Sequence, residues 1–354
     1  MLTKPLIDQE LLGEIIDEHL RPFVKRIDEE AFYAKTFLEK LGEAGFFAVE
    51  AREQDELEKR FIVIEETAKV CMTTAFCIWC HLAATTYLTH TENESLKNAV
   101  LPKLLTGKLL AGTGLSNPLK SFAKLETLHL KAEKVRGGYI VRGALPAVSN
   151  IGPGQAFAFI AEVESDEKVM GFVYCDDPAI TLRARTGYIG LNGSATFSCA
   201  FQDIFIPDAQ IIATNVDTFV EQVRTRFLAY QIPLALGVTA ASVNTMDKIA
   251  NKYHENNINQ YLRVQPEDLN VRNDAIRSQL ADVIGAPNLS WDTLTDIRLE
   301  ATYVTLDAVQ AAMLHHGGRG YVKSSVAERK LREAYFLVNL TPTIKHLETL
   351  KRRT

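Results

Sequence analysis

Cysteine is scarce in this chain. Five in 354 residues, an odd number, do not make a disulfide framework. An excess of either charge is lacking too: 39 Lys and Arg stand against 44 Asp and Glu, and the net charge of −5 gives no bulk attraction to nucleic acid or anionic lipid. No apolar run approaches the roughly 20 residues that span a bilayer. The opening "MLTKPLIDQELLGEIIDEHL" carries acids through its apolar pattern, where a secretory signal has an uninterrupted apolar centre. It reads as an amphipathic helix of the mature fold, and a cytoplasmic location is expected. Internal repeats and low-complexity tracts are missing as well. So is a second metal-ligand pair. Cys77, Cys80 and His81 stand close together in "CMTTAFCIWCHLAATTYL", but the surrounding letters are apolar or small and no second CxxC follows. These read as buried helix residues, with no metal.

What is present is an ordinary globular composition, 47% hydrophobic and 23% charged, long enough for two or three domains. Helical spacing dominates the first hundred residues. In "EEAFYAKTFLEKLGEAGFFAVE", Phe32, Phe37, Leu38 and Leu41 recur on one face, with Gly42 and Gly45 at the end. "DELEKRFIVIEETAKVCMTTAFCIWCHLAATTYLTH" predicts one long, deeply buried helix, and "NESLKNAVLPKLLTGKLLAG" another. Near residue 109 the texture changes. "LETLHLKAEKVRGGYIVRGALPAVSN" alternates around a Gly-Gly turn, and two later stretches continue the pattern to about Thr214. Helical spacing then returns, with Pro233 expected to kink a long helix and three more amphipathic segments completing a bundle. The expected architecture is α+β and multidomain: an all-α domain at 1–108, a β-barrel or sandwich at 109–216, and a four-helix bundle at 217–354.

One motif sits outside this account. "HHGGRGY" (315–321) pairs adjacent histidines, which suggest a metal, with glycines around an arginine, which suggest a turn meeting a phosphate. The α, β, α order and the residues at its joints resemble the acyl-CoA dehydrogenase family of FAD flavoproteins. "LGEAGFFAVE" is similar to the family's early A-G-[FL] turn. "GYIGLNGSATFSCAFQDIFIPD" keeps the glycines and spacing of the family's stretch ending F-[ED]-[DN]-[VI]-x-[VI]-P. "HHGGRGYVKSSVAERKLREAY" resembles its H-G-G-x-G motif and the helix that follows. The resemblance implies that Gly317 and Gly318 approach the diphosphate or adenosine of FAD bound by a neighbouring subunit. Glycine suits that role by admitting positive φ and close main-chain approach. The two histidines then read as packing.

By position, the resemblance places Leu115 and Ser116 against the flavin's polar edge and Ser149 with Asn150 on a second wall. The bland reading of the two serines is turn chemistry. Arg263, in "RVQP", falls where the family has a phosphate-pairing arginine, and a surface charge is the equal alternative. Thr343 matches the family's flavin-contacting threonine. Phe122, Arg224, Arg226 and Phe227 are candidate substrate contacts, the two arginines for an anionic ligand such as a CoA phosphate, or else a solvated helix face.

Departures are as informative. "NPLKSFA" replaces a glycine-rich acidic loop, Ala147 replaces an aromatic beside the flavin, and Leu314 replaces a glutamine. Acyl thioester dehydrogenation needs a base for the α-proton, normally a glutamate in a desolvated pocket. Thr341 stands at that position, Phe227 near the alternative one, and Glu300 in "RLEATY" is a weak candidate. The catalytic base is unassigned. The resemblance implies an FAD-dependent oxidoreductase acting on an acyl-CoA or acyl-carrier thioester. It further implies an electron-transfer flavoprotein as electron acceptor and assembly as a homodimer or homotetramer. Two alternatives stay open: a flavin monooxygenase or oxidase on the same scaffold, and a non-catalytic subunit.

Overall fold

Local signals set the helix starts. In the computed structural model, which describes residues 7–164, 167–252 and 258–352, the side chains of Asp8 and Asn93 accept from backbone N–H groups of Leu11 and Leu96. They cap α1 (Gln9–His19) and α6 (Glu94–Leu105). Between them lie α2 (Val24–Glu29), α3 (Lys35–Glu43), α4 (Glu53–Val70) and α5 (Met72–His90). The single long helix expected across the last two is broken at Cys71, whose φ of −149° and ψ of 106° are extended. The cause is tertiary. Arg329 and Lys330 donate to the carbonyls of Val70 (3.1 Å) and Ala68 (2.7 Å). These satisfy orphan acceptors at the negative end of α4. Glu333 pairs with both cations, at 2.8 Å each.

Among the described residues eight strands form one sheet: β1 (Ala111–Thr113), β2 (Leu130–Val135), β3 (Gly138–Val148), β4 (Ala156–Glu164), β5 (Glu167–Tyr174), β6 (Ile180–Ala184), β7 (Phe197–Pro207) and β8 (Ile211–Ala213). The short helix α7 (Ser116–Phe122) follows β1. The order is β6-β7-β3-β2-β4-β5-β8, with β1 added to β4 in parallel. Ile180 and Ile211, from the two end strands, join one core, so the sheet curls on itself. Strand β4 explains its own unbroken apolar run. Phe157, Phe159 and Ala161 face the interior of the sheet, whereas Ala156, Ala158 and Ile160 face the helices. A strand buried on both sides loses the polar alternation of a half-exposed one.

The remaining helices are α8 (Val216–Ala229), α9 (Ile232–Lys252), α10 (Pro266–Gly285), α11 (Trp291–His316), α12 (Val326–Asn339) and α13 (Ile344–Lys351). Pro233 does not kink a continuous helix. α8 stops at Ala229, and Pro233 is the second residue of α9, where its missing N–H breaks no intrahelical bond. By length and composition the stretch Val216–Asn251 holds a window able to cross a membrane, but 89% of that window is buried in the structure. Helix α9 packs on α10, α11, α12 and on α4. The N-terminal and C-terminal helices therefore share one core. Gly237 permits the closest approach, since a Cβ there would lie 2.5 Å from Glu65 O and 2.6 Å from Ala68 Cβ.

His81, fully buried, accepts from the Ala111 N–H at Nδ1 (3.3 Å) and donates from Nε2 to Leu104 O (3.0 Å). Cys77 lies 3.7 Å from Ser194 O, so Cys77 and His81 are both engaged by backbone groups. Burial lowers the His81 pKa to about 4. The unfolded imidazole, near 6.5, takes up a proton that the folded one refuses. Stability is therefore full above pH 6.5 and falls as pH drops toward 4, by about 3 kcal/mol for this group. Urea melts between pH 7.5 and 4.5 should show a shallower acid decline in His81→Asn than in the parent.

Candidate active site

Where the sheet meets the helices the structure holds a cavity of about 590 Å³. That is in the range of small-molecule sites, roughly 300–1,000 Å³. Its helical wall is aromatic: Phe76 and Trp79 from α5, Phe227 from α8 and Phe336 from α12. The opposite wall carries hydroxyls: Thr113 ending β1, Ser116 opening α7, Ser149 after β3, and Ser194 and Thr196 before β7.

The hydroxyls have a direction. Ser194 donates its proton to Leu191 O (2.6 Å), so the 2.8 Å contact with Thr196 requires Thr196 to donate to Ser194. Thr196 then accepts from Ser149 at 2.7 Å, which leaves Ser149 with lone pairs toward the cavity. Asn150, in the left-handed region at φ 59°, holds this wall in place from behind. Its side chain accepts from Tyr33 (2.6 Å) and donates to Ala111 O (2.8 Å), pinning β1 to the turn after β3.

Thr341, also on the lining, shares a hydrogen bond with Ser116 (2.9 Å), and its carbonyl accepts from Gln231 (2.8 Å). Gln231 in turn accepts from Arg298 Nε at 3.0 Å. Arg298 is fully buried, donates also to Thr302 Oγ1 and to Leu337 O (2.8 Å), and is driven by desolvation down to about 10, still charged near neutral pH. The loop at 340–341 is thus tied through an amide to a buried cation. The charged residue on the lining, Arg332, is held by Asp28 (2.7 Å), Glu328 and Ile189 O (3.0 Å).

Residues 9–108 match the family model described as acyl-CoA dehydrogenase, N-terminal domain. The probable acyl-CoA dehydrogenase fadE25 of Mycobacterium bovis is 25% identical over 90% of this chain and 87% of its own length. The fold is similar to that of a glutaryl-coenzyme A dehydrogenase (TM-score 0.87, 18% identity, 99% of this chain and 94% of that one). It is also similar to the butyryl-CoA dehydrogenase of Megasphaera elsdenii (TM-score 0.84, 17% identity, 99% and 97%). The chain is a homologue of the acyl-CoA dehydrogenases and shares their fold.

Seen as an acyl-CoA dehydrogenase relative, the chain brings Ser116, Ser149, Phe227 and Thr341 together on one cavity. Leu115 is buried just behind Ser116, and Thr343 caps α13 by accepting from His346 N (3.2 Å) outside the lining. Glu300, exposed on α11, pairs with Arg272 (3.7 Å) and lies outside the cavity. Arg224 pairs with Glu221 (3.0 Å) over the Trp291 ring, and Arg226 pairs with Glu53. Phe122 lies beneath Lys168 (5.3 Å). None of these four lines the cavity.

Gly317, at φ 53°, ends α11, and an added Cβ on it or on Gly318 would meet no atom of the described residues within 4 Å. His315 donates from Nε2 to Val264 O (3.0 Å), which brings the segment carrying exposed Arg263 beside this turn. His316 bonds within its own helix to Ala312 O (2.8 Å). The histidines pack the turn that the glycines open. Sequence reasoning missed Phe76, Trp79, Phe336 and the Arg298–Gln231 tie.

Gln231→Leu should leave a buried guanidinium short of an acceptor and the Thr341 carbonyl unpaired. Such a loss costs about 3–5 kcal/mol. Urea denaturation of the variant should show this drop, and Gln231→Glu, which restores an acceptor, should recover part of it.

Proposed function

We propose that this chain is an FAD-dependent oxidoreductase that dehydrogenates an acyl-CoA or acyl-carrier thioester between its α and β carbons. The observation that carries the reading is the cavity at the sheet–helix seam, apolar on one side and hydroxyl-lined on the other. Its size and chemistry fit a flat heteroaromatic ring with a polar edge. Ser116 and Ser149 would meet that edge, Ser149 as acceptor for a ligand N–H, with Leu115 and Asn150 backing them and Thr343 at the margin. FAD, when bound, supplies the two-electron acceptor.

The glycine turn supports a second element of the reading. Gly317 and Gly318 lie outside the lining of the cavity in their own chain, with no described residue within 4 Å of a Cβ on either. The His315–Val264 hydrogen bond brings the segment of Arg263 beside them. We assign them to the phosphate or adenosine end of FAD held by another copy, in a homodimer or homotetramer. Thr341 stands at one of the family's base positions and Phe227 near the other, and neither removes a proton near neutral pH. As hydride passes to FAD, the reading therefore requires the α-proton to pass to an acceptor from outside this lining, solvent water or a residue of another copy. Thr341 instead holds Ser116, and Phe227 forms apolar wall. Phe122, Arg224 and Arg226 are engaged by protein partners, and the reading gives them no substrate contact. The electron acceptor is expected to be an electron-transfer flavoprotein.

Purified protein supplied with FAD should show flavin absorbance and bleach on anaerobic addition of at least one member of an acyl-CoA panel. A colourless protein that ignores FAD would favour a non-catalytic subunit. Flavin that no thioester bleaches, with rapid oxygen consumption after chemical reduction, would favour an oxygenase or oxidase. In equilibrium dialysis Ser149→Ala should bind FAD about tenfold more weakly, the worth of one hydrogen bond.

A further inference from the structure

The aromatic wall is built as a unit. Phe76 and Trp79 stack at 5.4 Å with 14° between planes, Trp79 meets Phe227 edge-on at 4.6 Å, and Phe76 meets Phe336 edge-on at 4.6 Å. Trp79 Nε1 donates to Phe227 O at 3.0 Å, locking the largest ring to the backbone of the neighbouring helix. Phe76, Trp79 and Phe227 are only 4%, 3% and 5% exposed. Three helices, α5, α8 and α12, each send rings into their common seam. Rings this buried and interlocked do not part for a guest without a large energetic cost.

Charge narrows the site further. The lining contains no Asp, Glu, His or Lys among the described residues. Its Arg332 faces two carboxylates, Asp28 and Glu328, so it has no spare positive charge for an anionic group. A charged acyl end placed here would lose its hydration without a partner.

Resting on the acyl thioester reading above, we propose that this wall sets the substrate class: a compact, uncharged, flat acyl group, with Trp79 as the residue that closes the site to extended alkyl chains. Ring faces and edges offer a planar guest stacked or edge-on contact. A long chain finds the interhelical seam already filled. Misfit by a single methylene in an apolar pocket shifts discrimination by roughly 10–200-fold, so several methylenes against a fixed wall should be decisive.

The test is equilibrium binding of already unsaturated CoA thioesters to the FAD-loaded protein by calorimetry, which needs no turnover. The parent should bind cinnamoyl-CoA and crotonyl-CoA at least tenfold more tightly than trans-2-hexadecenoyl-CoA, and more tightly than glutaconyl-CoA, whose acyl end is a carboxylate. Trp79→Ala, loaded with FAD and with its flavin content checked by absorbance, should narrow or reverse the chain-length ratio by tenfold or more. Should that variant fail to fold, Phe227→Leu opens the same wall with a smaller loss and should move the ratio in the same direction. Parent protein that binds the hexadecenoyl or glutaconyl thioester as tightly as the cinnamoyl one overturns the inference alone. So does a ratio unmoved in a folded variant. Failure of every thioester to bind the loaded protein overturns the acyl thioester reading as well.

Discussion

Arg298 must keep its hydrogen bonds, because a guanidinium taken wholly out of water has no other compensation. Its partners are an amide oxygen, a hydroxyl and a backbone carbonyl, all neutral. The carbonyl belongs to Leu337, in the last turn of α12, where a cation meets the negative end of the helix. At the other end of the same helix Arg329 and Lys330 reach out to the last carbonyls of α4. Helix α12 is therefore clamped at both ends by buried cations, two of its own and one from α11. Since it carries Arg332, Phe336 and Asn339 onto the cavity, its register and the shape of that wall are one and the same constraint.

Much of the fold was legible because burial follows period. The amphipathic helices and the alternating strands announce themselves by which letters recur, and the α, β, α order emerges directly. The interruption at Cys71 was not legible. The apolar letters run through it without pause, and the groups that end α4 come from a helix about 260 positions later in the chain. The break near Pro233 is hidden in the sequence for a related reason. A proline signals disruption, but whether it bends a helix or opens a new one depends on where the preceding helix stops, which Tyr230 and Gln231 do not advertise.

The site divides the same way. Ser116, Ser149, Phe227 and Thr341 could be named because motif spacing survives where side chains have changed, and the structure sets all four on one cavity. Trp79 and Phe76 could not, since α5 is buried all round and its pattern presents no distinguishable face. Arg298 looked like any helix arginine, and only the packing of α9, α11 and α12 removes it from water. Conversely Arg224, Arg226 and Glu300 were attractive as charges near apolar letters, and each is spent on an ion pair. Charge in a helix pattern says little about its direction until the neighbours are known.

The close approach at Gly237 has a temporal side. Helices α4 and α5 bury their apolar surface against α9 and its neighbours, which are synthesised only after the whole sheet has been made. At roughly 5–20 residues per second, the early helices wait on the order of ten seconds after leaving the ribosome before that partner surface exists. The nascent chain must carry an unsatisfied greasy face through that interval, a window in which a holding chaperone would find its natural client.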